Sequence, residues 1–260
     1  MFKIIKYSFF DLMRSRWSYA YLAFYFLLAI VLLFLNNDLS KAVITLMNVI
    51  TVLVPLIGTV FGIMYYYDSK EFTQLLLAQP IKRSSIFLGQ YFGVAVSLSM
   101  SLLIGLGIPF VIYGLFSSSV IWDFSLLLVT GVFLTFIFTA ISFYIGLCNE
   151  NKIKGFGYAI VIWLFLAVIF DGILLLLMVY FNDYPLDKFA LGASMLNPID
   201  LSRILILLKL DISALLGYTG AVFQKFFGTR LGLFVALSML SFWVAVPALL
   251  IQRKSLRRDF

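Results

Sequence analysis

Residues 156–181 read FGYAIVIWLFLAVIFDGILLLLMVYF and contain a single charged side chain, Asp171. A helix needs about 20 consecutive apolar residues to cross the hydrocarbon core of a membrane, so this stretch can span it with some tilt. Further apolar runs of spanning length occur at about residues 17–35, 42–66, 86–116, 121–147 and 231–251. The sequence therefore predicts an all-α membrane protein with six transmembrane helices.

The composition supports this class of protein. Hydrophobic residues make up 63% of the chain and charged residues 12%, whereas soluble domains are about half apolar and a quarter charged. The formal charge of +7 would suggest nucleic acid in a soluble protein, but here the charges lie between apolar runs. A soluble enzyme and a nucleic-acid-binding domain are both excluded.

The positions of Lys and Arg predict the orientation of the spans, because cytoplasmic loops are enriched in these residues. With the N-terminus inside, the cytoplasmic side holds thirteen of the nineteen. They are Lys3, Lys6, Arg14, Arg16, Lys70, Lys82, Arg83, Lys152, Lys154, Arg253, Lys254, Arg257 and Arg258. We therefore expect both termini to be cytoplasmic.

Residues 1–16 form a short amphipathic segment before the first span. Its apolar positions at helical spacing are Phe2, Ile5, Phe9 and Leu12. Charged residues occupy the other side, so the pattern predicts an interfacial elbow helix. A cleaved signal peptide is disfavoured, because the following apolar run is too long and residues 35–38 offer no small-residue cleavage site.

The connection between spans 5 and 6, residues 182–229, is the one sizeable segment outside the membrane; we call it the external segment. Apolar residues from Leu201 to Leu216 follow the spacing of one helix face, behind Asn197-Pro198-Ile199-Asp200 with Asp200 as the N-cap. A seventh span is the competing interpretation. Arg203, Lys209 and Asp211 would be costly in lipid, so an external amphipathic helix is favoured.

Motifs for catalysis and metal binding are absent from the sequence. It contains no GxxxxGK followed by Ser or Thr, so the chain cannot bind nucleotide phosphates by the P-loop mechanism. It also contains no His and one Cys, Cys148, and its eight Met are scattered. We expect no enzyme activity, no bound cofactor and no metal site in this chain, and these residues argue against a copper conduit.

The connection between spans 2 and 3, residues 68–85, carries the most informative motif; we call it the coupling loop. It reads DSKEFTQLLLAQPIKRSS and contains an acidic residue, a Leu pair, a Pro and an Arg in order. This pattern resembles the first cytoplasmic loop of ABC-2 (type V) exporter permeases. The matching residues are Glu71, Leu75, Leu76, Pro80, Ile81 and Arg83.

The resemblance implies that this loop is a coupling helix bound in a groove of a cytoplasmic ATPase. ATP and Mg²⁺ would then be held by that partner. An ordinary interfacial loop, in which Lys82 and Arg83 only enforce topology, is the alternative.

The external segment carries a second and longer resemblance, through residues 197–204 and 208–223. These residues resemble the permeases that serve maturation of the copper sites of nitrous-oxide reductase. The resemblance implies a bacterial inner-membrane permease with two copies each of the permease and its ATPase, and a periplasmic β-helical protein above. Asp200, Arg203, Lys209 and Asp211 would then be docking residues for that periplasmic protein.

Asp171 is the only acidic residue well inside a predicted span, and an intramembrane carboxylate is a functional candidate. If span 5 ended early, Asp171 would instead lie near the outer interface. Two rival functions remain open from the sequence: an ABC-2 exporter of lipid, polysaccharide or drug, and a membrane enzyme or secondary transporter centred on Asp171. Bound ATPase in the purified protein would separate these classes.

Overall fold

The computed structural model describes residues 1–36, 38–118, 120–181, 187–209 and 230–257. Within these ranges the chain forms helices and no β-strand. The elements are α1 (Phe2–Met13), α2 (Arg16–Asn36), α3 (Leu39–Asp68), α4 (Lys70–Leu77), α5 (Arg83–Ile112), a 3₁₀ turn (Leu115–Ser117), α6 (Ile121–Cys148), α7 (Lys152–Leu164), a π-helical segment (Phe165–Ile169), α8 (Phe170–Tyr180), α9 (Asp187–Met195), α10 (Pro198–Lys209) and α11 (Arg230–Arg257).

Six of these helices are long and apolar enough to cross a membrane, which confirms the predicted all-α fold with six spans. Spans 1 to 4 are α2, α3, α5 and α6, span 5 combines α7, the π-helical segment and α8, and span 6 is α11. Six crossings by the described helices place both ends of the chain on one side, which we call the terminal side. The connection between spans 5 and 6 then lies on the opposite side.

Spans 2 and 4 form the centre of the bundle and pack closely through small residues. A Cβ atom added to Gly62 would lie 2.9 Å from Cβ of Ser142, and one at Gly58 would touch Thr139. Small residues let helix backbones approach, which is a main source of packing energy between membrane helices. The hydroxyl of Ser142 donates to the carbonyl of Phe138 at 2.8 Å, whereas the buried hydroxyl of Thr139 has no hydrogen-bond partner.

The N-terminal helix α1 packs along span 3. Gly93 is the closest point, because a Cβ atom there would lie 2.6 Å from Cβ of Ser8 and 2.8 Å from the carbonyl oxygen of Ile5. The buried stripe of α1 consists of Ile4, Ser8 and Leu12. The face of α1 that packs on α5 differs from the apolar face predicted for the interface: Phe2 is exposed, and the glycines of α5 accept a small residue, Ser8, at the contact.

Span 5 lies at the periphery and contains an irregular turn. Few of its residues are buried, among them Ala159 and Leu166. The segment Phe165–Ile169 winds as a π-helix, a rare form that often marks functional sites. The indole of Trp163 donates to the carbonyl of Val52 at 3.3 Å and ties this span to span 2.

The external segment is described for residues 187–209 only. Helix α10 begins at Pro198, a residue whose fixed φ suits the first helical position. The side chain of Asn197, rather than the predicted Asp200, caps it by accepting a hydrogen bond from the Ile199 amide at 3.1 Å. Helix α10 packs against spans 2, 4 and 6, so it is inserted between the spans instead of lying on the membrane surface as predicted.

Candidate functional site

Helix α4 is the structured part of the coupling loop, and it starts one residue after span 2 ends. Glu71 lies in its first turn, where a carboxylate is favoured by the helix dipole. The helix ends before Pro80, because a proline disfavours helical conformation in the residue that precedes it. The loop therefore forms a short rigid helix between two long spans.

One face of α4 is bound to the rest of the chain. The ring of Phe72 stacks on Tyr7 of α1, with the ring centroids 4.4 Å apart. Thr73 is buried, and its hydroxyl oxygen accepts a hydrogen bond of 2.8 Å from the side-chain amide of Gln90 in span 3. These contacts attach α4 to both α1 and span 3.

The opposite face of α4 carries the residues that the sequence predicted for ATPase coupling. Leu75 is 69% exposed, and Glu71 on the same face, one turn earlier, is also exposed. Leu76 is only half-buried, so the two leucines do not contribute equally to the exposed surface. Pro80 and Arg83 are exposed and Ile81 is half-buried. The predicted residues thus form an accessible surface; their role in coupling stays a prediction.

The terminal end of span 2 is also tied to the start of span 5. Asp68 and the ammonium of Lys152 form an ion pair of 2.7 Å. The hydroxyl of Tyr67 donates to the carbonyl of Asn149 at 3.0 Å. The ion pair is exposed and contributes little energy, but together the contacts fix the joint from which α4 projects.

A polar cluster lies between span 5 and α10, and it contains Asp171. Nη1 of Arg203 is 2.6 Å from Oδ2 of Asp171 and 3.7 Å from Oδ1 of Asp200. Asn197 donates from its amide nitrogen to Oδ2 of Asp200 at 3.0 Å. We call Asp171, Asn197, Asp200 and Arg203 the polar cluster.

Asn197 joins this cluster to the irregular turn of span 5. Its amide nitrogen also donates to the carbonyl oxygen of Leu166 at 2.7 Å. Leu166 is part of the π-helical segment and lies near the middle of span 5. Because irregular backbone at membrane depth is tolerated where protein groups satisfy it, Asn197 both caps α10 and stabilises this turn.

The environment of Asp200 disfavours its ionised form. Burial and the neighbouring carboxyl of Asp171 raise the pKa of Asp200 from its ordinary value of 3.8 to about 8, against the lowering effect of Arg203. The side chain of Asp200 is 10% exposed, while those of Arg203 and Asp171 are 28% and 31% exposed. A carboxyl this far removed from water is expected to carry a proton at neutral pH.

Docking residues are expected to face water or a partner protein, and for Asp200 this orientation is wrong because its side chain is buried. Leu201, Ile204 and Leu205 are buried, and Arg203 points to Asp171 in span 5. The reason is that the lone carboxylate of Asp171 requires a counter-ion within the bundle. Helix α8 continues beyond Asp171 to Tyr180, so the alternative in which span 5 ends early is not supported.

The other two predicted docking residues, Lys209 and Asp211, lie at or beyond the end of α10. Asp211 lies outside the described residues, and so does the side chain of Lys209. The role of Asp200, Arg203, Lys209 and Asp211 in binding a periplasmic protein stays a prediction. Asn197 was not identified as a site residue from the sequence. The pair of Asp171 and Arg203 had a signal in the sequence, because an intramembrane carboxylate is expected to have a basic partner.

Comparison with known proteins gives two relatives over most of the chain. The chain is 24% identical over 211 residues to the "Probable ABC transporter permease protein NosY" of Stutzerimonas stutzeri, covering 75% of this chain and 76% of that protein. It is also 24% identical over 220 residues to the protein of the same name from Pseudomonas aeruginosa, covering 78% and 80%. No family model matches the chain. The relatives confirm the resemblance to a NosY-like ABC transporter permease.

Proposed function

We propose that this chain is the membrane-spanning permease subunit of an ABC transporter and that α4 receives the movement of a cytoplasmic ATPase. The observation that carries the proposal is the exposed face of α4 around Leu75, on a helix whose other face is bound to α1 and span 3. The similarity to two permeases of this class supports it. ATP and Mg²⁺ are then bound by the partner, and this chain is not itself an enzyme.

The contacts of α4 suggest how such movement reaches the spans. A force on Leu75 acts through the stacked rings of Phe72 and Tyr7 on α1, and through Thr73 and Gln90 on span 3. The direct connection at Ser69 carries the same force to span 2. Helix α4 is short and is attached to α1, span 2 and span 3, so it moves as a rigid body. Closure of the ATPase then moves spans 2 and 3 together.

The finer proposal is that this work serves maturation of the copper sites of nitrous-oxide reductase. It is supported by the name of the two relatives and by the resemblance of residues 197–223. In this proposal two copies of the permease bind two copies of a NosF-like ATPase. A NosD-like periplasmic β-helical protein binds on the opposite side, with both permease termini in the cytoplasm of a bacterial inner membrane.

Purification of the tagged chain from its native membrane tests both levels of the proposal. We expect an ATPase with a P-loop and a periplasmic β-helical protein to co-purify, and deletion of the permease to leave nitrous-oxide reductase without its copper sites. An ATPase without the β-helical protein, together with normally loaded reductase, would support the alternative of an ABC-2 exporter of lipid, polysaccharide or drug. Absence of any ATPase would refute the permease proposal itself.

A further inference from the structure

We propose that the polar cluster binds one proton, and that this proton holds α10 in its buried position between the spans. The cluster contains two carboxyl groups, of Asp171 and Asp200, and one guanidinium, of Arg203. With both carboxyl groups ionised, it would carry one net negative charge away from bulk water, which is costly. One bound proton makes the cluster neutral. This inference does not depend on the proposed function.

The geometry indicates where the proton is held. Arg203 contacts Asp171 closely at 2.6 Å and Asp200 only at 3.7 Å, so the guanidinium compensates the charge of Asp171 first. The same guanidinium nitrogen contacts both carboxyl groups, so Asp171 and Asp200 are neighbours that share one cation. Two carboxyl groups that share one site repel each other when both are ionised, which favours a proton on one of them. The proton therefore resides mainly on Asp200, whose side chain is the more deeply buried.

No other described charge near the cluster takes this role. The groups that act on Asp200 are Asp171 of span 5 and Arg203 and Asn197 of α10. On the spans that pack against α10, the described ionisable side chains lie towards the helix ends. They are Lys41, Tyr65, Tyr66, Tyr67 and Asp68 of span 2, Asp123, Tyr144 and Cys148 of span 4, Lys152, Lys154, Tyr158 and Tyr180 of span 5, and Arg253 and Lys254 of span 6. Asp187 and Lys188 of α9 have side chains outside the described part.

The pH dependence follows from the pKa of Asp200 in the two positions of α10. In the buried position the pKa of Asp200 is raised to about 8. In a released position, in which α10 has left the spans and Asp200 is in water, this pKa has its ordinary value of 3.8. Between these values the buried position binds one proton more than the released position. The ratio of buried to released α10 therefore falls as pH rises, by up to about tenfold per pH unit, and becomes constant above about pH 8.

Ser202 provides a reporter for the position of α10. Its side chain is fully buried and its hydroxyl has no hydrogen-bond partner, so Ser202→Cys removes no bond. In a Cys148→Ser background, a methanethiosulfonate reagent should modify this cysteine only when α10 is released. Leu196→Cys is the matched control, because Leu196 is 61% exposed in the same segment and reports the intrinsic pH dependence of thiol reactivity.

We expect the labelling rate of S202C relative to L196C, measured on the purified full-length permease in nanodiscs, to rise at least tenfold from pH 6 to pH 8. With Asp200→Asn the rate should stay low at both pH values, because the amide is neutral and still bonds to Asn197. With Arg203→Gln the rise should extend above pH 8, because loss of the guanidinium raises the carboxyl pKa further.

Three outcomes would overturn the proposal. The first is a relative labelling rate of S202C that does not change between pH 6 and pH 8. The second is a pH dependence that Asp200→Asn leaves unchanged. The third is rapid labelling of S202C at pH 6 in both the Asp200→Asn and the Asp171→Asn backgrounds. The last result would mean that two ionised groups, and not a proton, hold α10 in place.

Discussion

Replacing Leu75 by Asp should separate the permease from its ATPase while leaving the helical bundle folded. Complete burial of a leucine side chain is worth about 1.5–3 kcal/mol. Leu75 is 69% exposed, so about 1–2 kcal/mol of this is still available to a partner. Burial of an unpaired polar group adds a cost of about 1–3 kcal/mol, and more for a charge. We therefore expect Kd for the ATPase to rise roughly 30-fold or more.

The assay is titration of the purified ATPase subunit against the permease in nanodiscs, with thermal unfolding of each variant as the test of folding. Leu256→Asp is the matched control, because Leu256 is 60% exposed and also lies on the terminal side, but outside the coupling loop. Leu75→Asp should raise the Kd for the ATPase, whereas Leu256→Asp should leave this Kd at the wild-type value. A Kd for L75D within twofold of the wild type would refute the coupling-helix assignment.

Further expectations concern packing, docking and topology. Gly93→Ala should destabilise the protein by about 1–3 kcal/mol through overpacking against α1, while Gly107→Ala, which meets nothing within 4 Å, should not; thermal unfolding in detergent measures both. Lys209→Glu should weaken capture of the periplasmic β-helical protein in a pull-down at low salt, because rim charges guide docking. Single cysteines at Ser84 and at Leu256, which is 60% exposed, in a Cys148→Ser background, should react only with a cytoplasmic reagent.

Each of these expectations has a clear contrary result. Equal unfolding temperatures for G93A and G107A would mean that α1 does not pack on span 3 as described. Undiminished capture by K209E would place docking elsewhere in the external segment. Labelling of a cysteine at Leu256 from outside would refute the six-span topology.

The sequence was sufficient for the spans and the coupling loop, because both depend on local properties. A run of apolar residues is long enough to cross a membrane whatever surrounds it, and Pro80 ends α4 through the local backbone alone. The six spans and the short helix Lys70–Leu77 therefore appear where they were expected, within a few residues.

Contacts between distant segments could not be predicted in the same way. Helical spacing identified an apolar side of α1 that contains Phe2, but it could not show that Gly89 and Gly93 of span 3 select the face with Ile4 and Ser8 for packing. It also placed Asp200 among the docking residues of an external helix, because it cannot show that Arg203 pairs with Asp171 and that α10 packs between the spans. In both cases the deciding residue lies on another helix.

The packing of α1 along span 3 has a consequence for the order of assembly during synthesis. Helix α1 is synthesised before span 1, but the surface that covers Ile4 and Ser8 belongs to span 3, which is synthesised after spans 1 and 2. In the two-stage view of membrane proteins, helices are inserted independently and associate afterwards. Helix α1 can therefore bury Ile4 and Ser8 only after the third span has entered the membrane, although it precedes all three spans in the chain.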